Sequence, residues 1–545
     1  MSADTRIFTA RRIVTMNASL PIATHVAVRE GRILGLGGAE LIDGFGPAVV
    51  DDRFGNEVIV PGFVEGHGHA VDGLMWRNLY VGYFPRRAPD GSRHAGFRSI
   101  AEVVTHLRQV EATMTDPARP LIAWGFDPIY FAGPRMTVAD LDAVSTMRMV
   151  VVAHVSGHIL NVNGAVLRAA DFSADSNLEG LVRDATGELT GELLGPVVMG
   201  RANRVTGDAG LLRALDVPAL RDYGATARRV GVTTSTDLAN ALTDDNVAAL
   251  RTATAEDDFP IRLVPAMRAR EYSVADGIAR LTTLQRLSTD RLHFGIAKLV
   301  VDGSIQGFSA RLRWPGYHNG APNGLWYVAP AELGGIVEAY HRAGLQLHIH
   351  TNGDEASELA TEMVGRALAA YPRADHRHTL QHCQMADEAI FRRMKAFGMC
   401  VNLFANHVYY WGDQHRTLTM GPSRALRLDP CNTALTIGVP LSIHSDTPVT
   451  PIDPLFIMWC AVNRQTATGH VLGPDERVTA AQALRAVTLG AAYTLHLDHR
   501  IGSIDVGKFA DFAVLAEDPL DVDPMAIRDI QVRGTVLGGR VFDNA

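Results

Sequence analysis

Two histidines one residue apart, His67 and His69, close the segment Val60-Pro61-Gly62-Phe63-Val64-Glu65-Gly66-His67-Gly68-His69. A short apolar run, Val58 to Val60, leads into it. On a strand, residues i and i+2 project to the same side, so this spacing can aim two imidazoles at one point. A strand offers two nitrogen ligands to a metal ion in this way. Four further residues lie in or at the ends of apolar runs. Lys298 sits inside Phe294-Gly295-Ile296-Ala297-Lys298-Leu299-Val300-Val301. Burying an unpaired lysine is costly, and a cation there would repel a metal. Carboxylated by CO2, the same side chain becomes an anionic oxygen ligand that can bridge two ions. His350 ends Gln346-Leu347-His348-Ile349-His350. His348 shares its strand face by period two, and His350 is nearer the strand end. His382 ends Thr379-Leu380-Gln381-His382, and Asp446 ends Leu441-Ser442-Ile443-His444-Ser445-Asp446 before Thr447-Pro448. Each residue alone has a plain structural reading: a turn histidine, a snorkelling lysine, a hydrogen-bonded core histidine, a helix cap. The order HxH, Lys, His, His, Asp is far more specific than its parts.

These residues need elements to hold them. Before residue 62, strand-like runs occur at Arg6–Thr9, Arg12–Met16, His25–Val28 and Arg32–Leu36, with a turn at Glu30-Gly31. Similar runs recur at Ala510–Leu515 and Ile530–Leu537, with Gly538-Gly539 turning into Arg540–Phe542. The two ends therefore predict one small β-sandwich domain, residues 1–62 and 496–545. From residue 231 onward strands alternate with helices, the order of a (β/α)8 TIM-like barrel. The barrel is assigned residues 63–70 and 216–495. Residues 71–215 are too long for one strand–helix unit and read as an insertion capping the site. In such a barrel the C-terminal strand ends build the active site.

The chain has 545 residues, 47% hydrophobic and 20% charged, the balance of an ordinary globular enzyme. The formal net charge of -8 and the lack of a long Lys/Arg run argue against a nucleic-acid surface, so no nucleic-acid partner is expected. The four cysteines, Cys383, Cys400, Cys431 and Cys460, form no CxxC pair, so a disulfide framework is not expected and the cytoplasm is. Neither a signal peptide nor an apolar run long enough to span a membrane is read.

The motif order resembles the amidohydrolase superfamily of metal-dependent hydrolases. Val60-Pro61-Gly62-Phe63 and the tail Gly502-Ser503-Ile504-Asp505-Val506-Gly507-Lys508-Phe509-Ala510-Asp511 carry the likeness to both ends of the chain. Asp302-Gly303-Ser304-Ile305-Gln306-Gly307, His350-Thr351-Asn352-Gly353-Asp354 and the long insertion resemble more closely the N-substituted formamide deformylase-like (YtcJ-like) branch. The resemblance implies hydrolysis of amide or formamide C–N bonds. It implies one ion on His67, His69 and Asp446, a bridge from carboxylated Lys298, and a second ion on His350 and His382. One or two ions per chain are consistent with it. Nitrogen and oxygen donors without thiolate suit Zn2+ first.

In the mechanism so implied, a metal-activated water attacks the carbonyl carbon, and Asp446 serves as general base and then general acid. Candidate substrate contacts are Trp124 and Asp127 in an aromatic-rich segment, His158 after the run Met149–Ala153, Asp302, and His407 in the aromatic segment Phe404–Trp411. Asn161 and Asn163 are read as a structural network with His158 beside it. The aromatics favour a small, partly apolar amide, and barrels of this size commonly form homodimers. A hydrolase or deaminase acting on a cyclic amide, imide or amino-heterocycle is the alternative. Deaminases of the superfamily usually dispense with the lysine ligand, so Lys298 counts against that half of it. A non-catalytic relative is disfavoured by the complete ligand set.

Overall fold

The computed structural model describes residues 5–131, 133–207 and 215–544. Its centre is an all-parallel sheet of eight strands: β1 (Phe63–Glu65), β2 (Val232–Asn240), β3 (Arg262–Arg268), β4 (Ile296–Val300), β5 (Gln346–Thr351), β6 (Thr379–His382), β7 (Cys400–Leu403) and β8 (Leu441–Ile443). Each strand pairs with its sequence neighbours, from β1 through to β8. Helices cover the outside, so the strands are buried on both faces, and buried polar side chains such as Thr234, Thr236, His348, Gln381 and Asn402 are interspersed with apolar ones along them. The helices open on side-chain caps where the sequence supplies them. Asp387 accepts from the Ile390 N–H, Thr243 from Asn246 and Ser273 from Asp276.

No ladder joins β8 to β1 among the described residues. The seam is closed instead by the His69 N–H donating to the Thr447 carbonyl at 2.9 Å and by the Glu65 side chain. Together these give the connectivity of a (β/α)8 barrel.

Both chain ends enter one further sheet. Val58–Pro61, just before β1, pairs in parallel with Thr5–Val14 and antiparallel with Phe512–Leu515. Phe8, Ile13, Val26, Ile33, Phe512 and Val514 fill one face. A buried ion pair, Arg262 Nη1 to Asp511 Oδ2 at 2.6 Å, ties this sheet to β3. The segment between β1 and the helix Val217–Arg229 carries its own six-stranded sheet and two apolar clusters of its own. Val150–His154 and Ile159–Val162 are its central strands, with Leu121–Phe126 beside the first.

Two local readings change. The aromatic segment after β7 is a helix, Asn406–Gln414, whose rings pack the insertion down: Tyr130 Oη donates to the Tyr410 carbonyl, and Phe84 meets the Tyr410 ring edge-on at 4.8 Å. The helix Pro454–Asn463 is invisible to periodicity because all but one of its residues are buried, leaving no polar face. No helix among the described residues is long and apolar enough to cross a membrane.

Gly353, after β5, has no room for a side chain: an added Cβ would overlap the Arg311 carbonyl. G353A should therefore lower stability by about 1–3 kcal/mol, read as a urea midpoint shift.

Candidate metal centre

His67 and His69 lie past the end of β1, in a bend rather than on the strand itself. The strand cannot continue because its backbone groups are taken sideways. The His67 N–H donates to Glu65 Oε1, the Gly68 N–H to Thr236 Oγ1, and the Gly68 carbonyl accepts from Leu238. Gly68 is required by close approach, since a Cβ there would lie 2.6 Å from Tyr223 Oη. The two rings still converge. His69 Nε2 is 3.1 Å and His67 Nε2 3.3 Å from the same oxygen, Asp446 Oδ1. Lys298 Nζ, buried on β4, is 3.3 Å from His67 Nε2. These ligand atoms come from β1, β4 and β8, separated by hundreds of residues.

The tautomer of His67 is set from behind. Its Nδ1–H donates to Gln381 Oε1 at 2.7 Å, which also accepts from Asn402 Nδ2 at 2.9 Å. The Nε2 lone pair is thereby turned towards Asp446 and Lys298. Gln381 Nε2 in turn donates to His348 Nδ1, and His348 Nε2–H donates to the Thr494 carbonyl. Both nitrogens of His348 are thus committed within the protein. His350 is placed differently: its ring is 4.5 Å from that of His382, and its Nε2 approaches the Gly303 carbonyl at 3.4 Å and Asn352 Nδ2 at 3.2 Å. His382 Nδ1 is 3.9 Å from Asp446 Oδ2 and makes no hydrogen bond.

Burial drives His67, His350 and His382 well below the usual imidazole range, so all three are neutral with lone pairs to offer. Burial also brings Lys298 down to about 7, against the pull of Asp446. A bare imidazole lone pair 3.3 Å from a carboxylate oxygen is repulsive unless a cation lies between them. Among the described residues, two groups bring possible ligand atoms within 4.8 Å of one another: His67, His69 and Asp446, and His67, His382 and His444. This donor set, with its unpartnered His382 nitrogen, fits a divalent ion. His350 belongs to neither group.

The chain matches the Amidohydrolase family over residues 55–543. It belongs to that family. The N-substituted formamide deformylase of Arthrobacter pascens is 26% identical over 96% of each chain. Protein LONG AFTER FAR-RED 3 of Arabidopsis thaliana is 25% identical over 97% of this chain and 90% of its own. An uncharacterised metal-dependent hydrolase from Pyrococcus horikoshii shares the fold at a TM-score of 0.72, with 19% identity over 96% of this chain and 99% of that one. As a family member, this amidohydrolase is an enzyme acting on C–N bonds.

The remaining sequence candidates separate. His158, from the insertion, reaches the centre, its ring 5.3 Å from His350 and 5.5 Å from Tyr327. His407 donates from Nδ1 to buried Asp429 at 3.1 Å, and its ring is 6.4 Å from His382. Asp302 is fully buried and accepts from the backbone N–H groups of Arg311, Asn352 and Gly353, which orders the loops after β4 and β5. Asp127 spends both oxygens on Ile129 N–H and Trp411 Nε1–H, joining insertion to barrel. Trp124 is a core residue of the insertion, packed on Tyr80 and Trp76. For Asp302 and Asp127 these hydrogen bonds occupy both carboxylate oxygens, whereas the buried Trp124 Nε1 has no partner. Asn161 and Asn163 are structural, bonded to His154 and capping the helix Gly164–Ala169.

Sequence reading passed over Glu65, Gln381, Asn402 and His444. The first three hold His67, Ser445 and one another by hydrogen bonds. His444 stood in plain view two residues before Asp446. Replacing Gln381 by leucine, which keeps the volume but frees the His67 ring, should weaken metal affinity by about 10–100-fold in a chelator competition assay.

Proposed function

We propose that the enzyme hydrolyses the C–N bond of a small, partly apolar amide of the N-substituted formamide class. The observation that carries this is the convergence of His67, His69, Lys298 and Asp446 on one point at the mouth of the barrel. The name of the Arthrobacter pascens relative supports the substrate class. Residues 71–215 act as the cap that selects substrate, and the terminal strands form a supporting domain.

His67, His69 and Asp446 would hold one divalent ion, Zn2+ by donor type, and His350 and His382 would contribute to a second, with Lys298 between them. Bound there, an ion would supply Lewis acidity that brings the pKa of water down to roughly 7. Lys298 is prepared for carboxylation. At a pKa of about 7 much of its amine is free near neutrality, and Nζ adds to CO2 with loss of one proton to give the anionic carbamate. Asp446 uses Oδ1 towards the two HxH imidazoles, which leaves Oδ2 to take a proton from the attacking water and return it to the leaving nitrogen. His158 is held neutral, its pKa lowered to about 4 by burial, so a ring N–H is available to the substrate carbonyl. His407, fixed by Asp429 with its ring 6.4 Å from His382, would contact the leaving group. Phe404, beside His382 and His407, provides an apolar wall.

The test is formate release from a panel of formamides with aromatic and aliphatic N-substituents, using metal-loaded enzyme. Turnover favouring apolar substituents supports the reading; no formate from any member, with ring opening of cyclic amides or imides, replaces it. With a turned-over substrate, D446N should lose at least about 100-fold in kcat with little change in KM. Metal per chain, by elemental analysis, should rise with added bicarbonate in wild type as pH climbs through 7, because only the neutral amine reacts. K298A should show no bicarbonate response.

A further inference from the structure

His444 is the best-buried polar side chain at the centre without an assigned task. It is completely inaccessible; the backbone of Asn402 lies against one ring nitrogen, and no side chain bonds to either. Its neighbours are three rings: His67 at 4.6 Å, Phe404 at 4.9 Å and His382 at 5.0 Å. A packing residue in this slot needs no nitrogens, and a buried imidazole with a nitrogen left unpartnered is costly. Its ligand atom lies within 4.8 Å of those of His67 and His382. Two nitrogens that share an ion at about 2.1 Å each lie at most about 4.2 Å apart, so a shift of under about 1 Å brings them together.

Ring planes decide which neighbour shares the ion. His444 lies nearly parallel to His67, at 21°, and crosses His382 at 65°. Imidazole lone pairs lie in the ring plane. Stacked rings cannot turn theirs onto one ion, whereas crossed rings can. We propose that His444 is a further metal ligand, sharing an ion with His382. This rests on the metal-centre reading above and adds an imidazole from β8 that the expected ligand set lacks. Phe404 and His67 then clamp the His444 ring from its two faces and hold its edge towards the ion.

Metal-stripped wild type and H444F are titrated with Co2+, following bound cobalt per chain and visible d–d absorption. Phenylalanine keeps the stack and removes the nitrogens. The expected result is at least about 10-fold weaker binding at one site and an altered absorption band in H444F, with an unchanged far-UV spectrum. Identical isotherms and spectra would overturn the proposal and leave His444 as packing. If H444F fails to fold, a cadmium-113/proton correlation spectrum of wild type decides. Coupling to the His444 ring protons supports the proposal, and coupling to the other histidines without His444 overturns it. Wild type that binds no cobalt would sink the metal-centre reading itself, and this inference with it.

Discussion

The centre depends on one buried carboxylate. Glu65 ends β1 and accepts from the His67 N–H at 3.0 Å, the Ser445 N–H at 3.2 Å and the Ser445 Oγ–H at 2.6 Å. It stands at the seam where no ladder joins β8 to β1. One side chain therefore sets the distance between the HxH bend and Asp446, the two halves of the first ligand group. Burial pushes its pKa up to about 7, against the pull of those same hydrogen bonds. A network of this kind is rigid when complete and expensive when broken. That is the property a ligand set needs if its geometry is to be ready before substrate arrives.

Around that seam, strain and support are distributed unevenly. His382, Cys383 and Asp446 all adopt positive φ, between 49° and 62°. Non-glycine residues take that conformation at some cost, and such positions cluster at functional sites. Here they turn the ends of β6 and β8 inward. Behind them, Gln381 touches His67, Asn402 and His348 at once, so β5, β6 and β7 share a polar layer beneath the ligands. The ligands are tilted by strained backbone in front and held in tautomer by amides behind.

The insertion is a separate problem in packing. It buries its own sheet and meets the barrel through rings, Tyr130 on Tyr410 and Trp411 on Asp127. One of its side chains, His158, comes beside His350. The clustered histidines and Asp446 thus sit at the strand ends of the parallel sheet, and His158 reaches them from a segment with a sheet of its own.

The sequence by itself determined the strand–helix alternation, the HxH spacing and the positions of Lys298, His350, His382 and Asp446, because periodicity and polar residues ending apolar runs are local signals. It could not choose between His348 and His350 beyond nearness to the strand end. Strand alternation places both on one face, and only the hydrogen bonds of His348 to Gln381 and Thr494 separate them. It also misplaced the HxH pair onto the strand, because the side chains that pull that backbone away, Thr236 among them, are far off in the chain. Asp302 and Asp127 looked like substrate groups by residue type, and tertiary contacts gave their oxygens to backbone and indole N–H groups. His444 and Glu65 were silent for the same reason. A buried polar group is defined by what surrounds it, and those surroundings are assembled only when β1 and β8, some 380 residues apart, close the barrel.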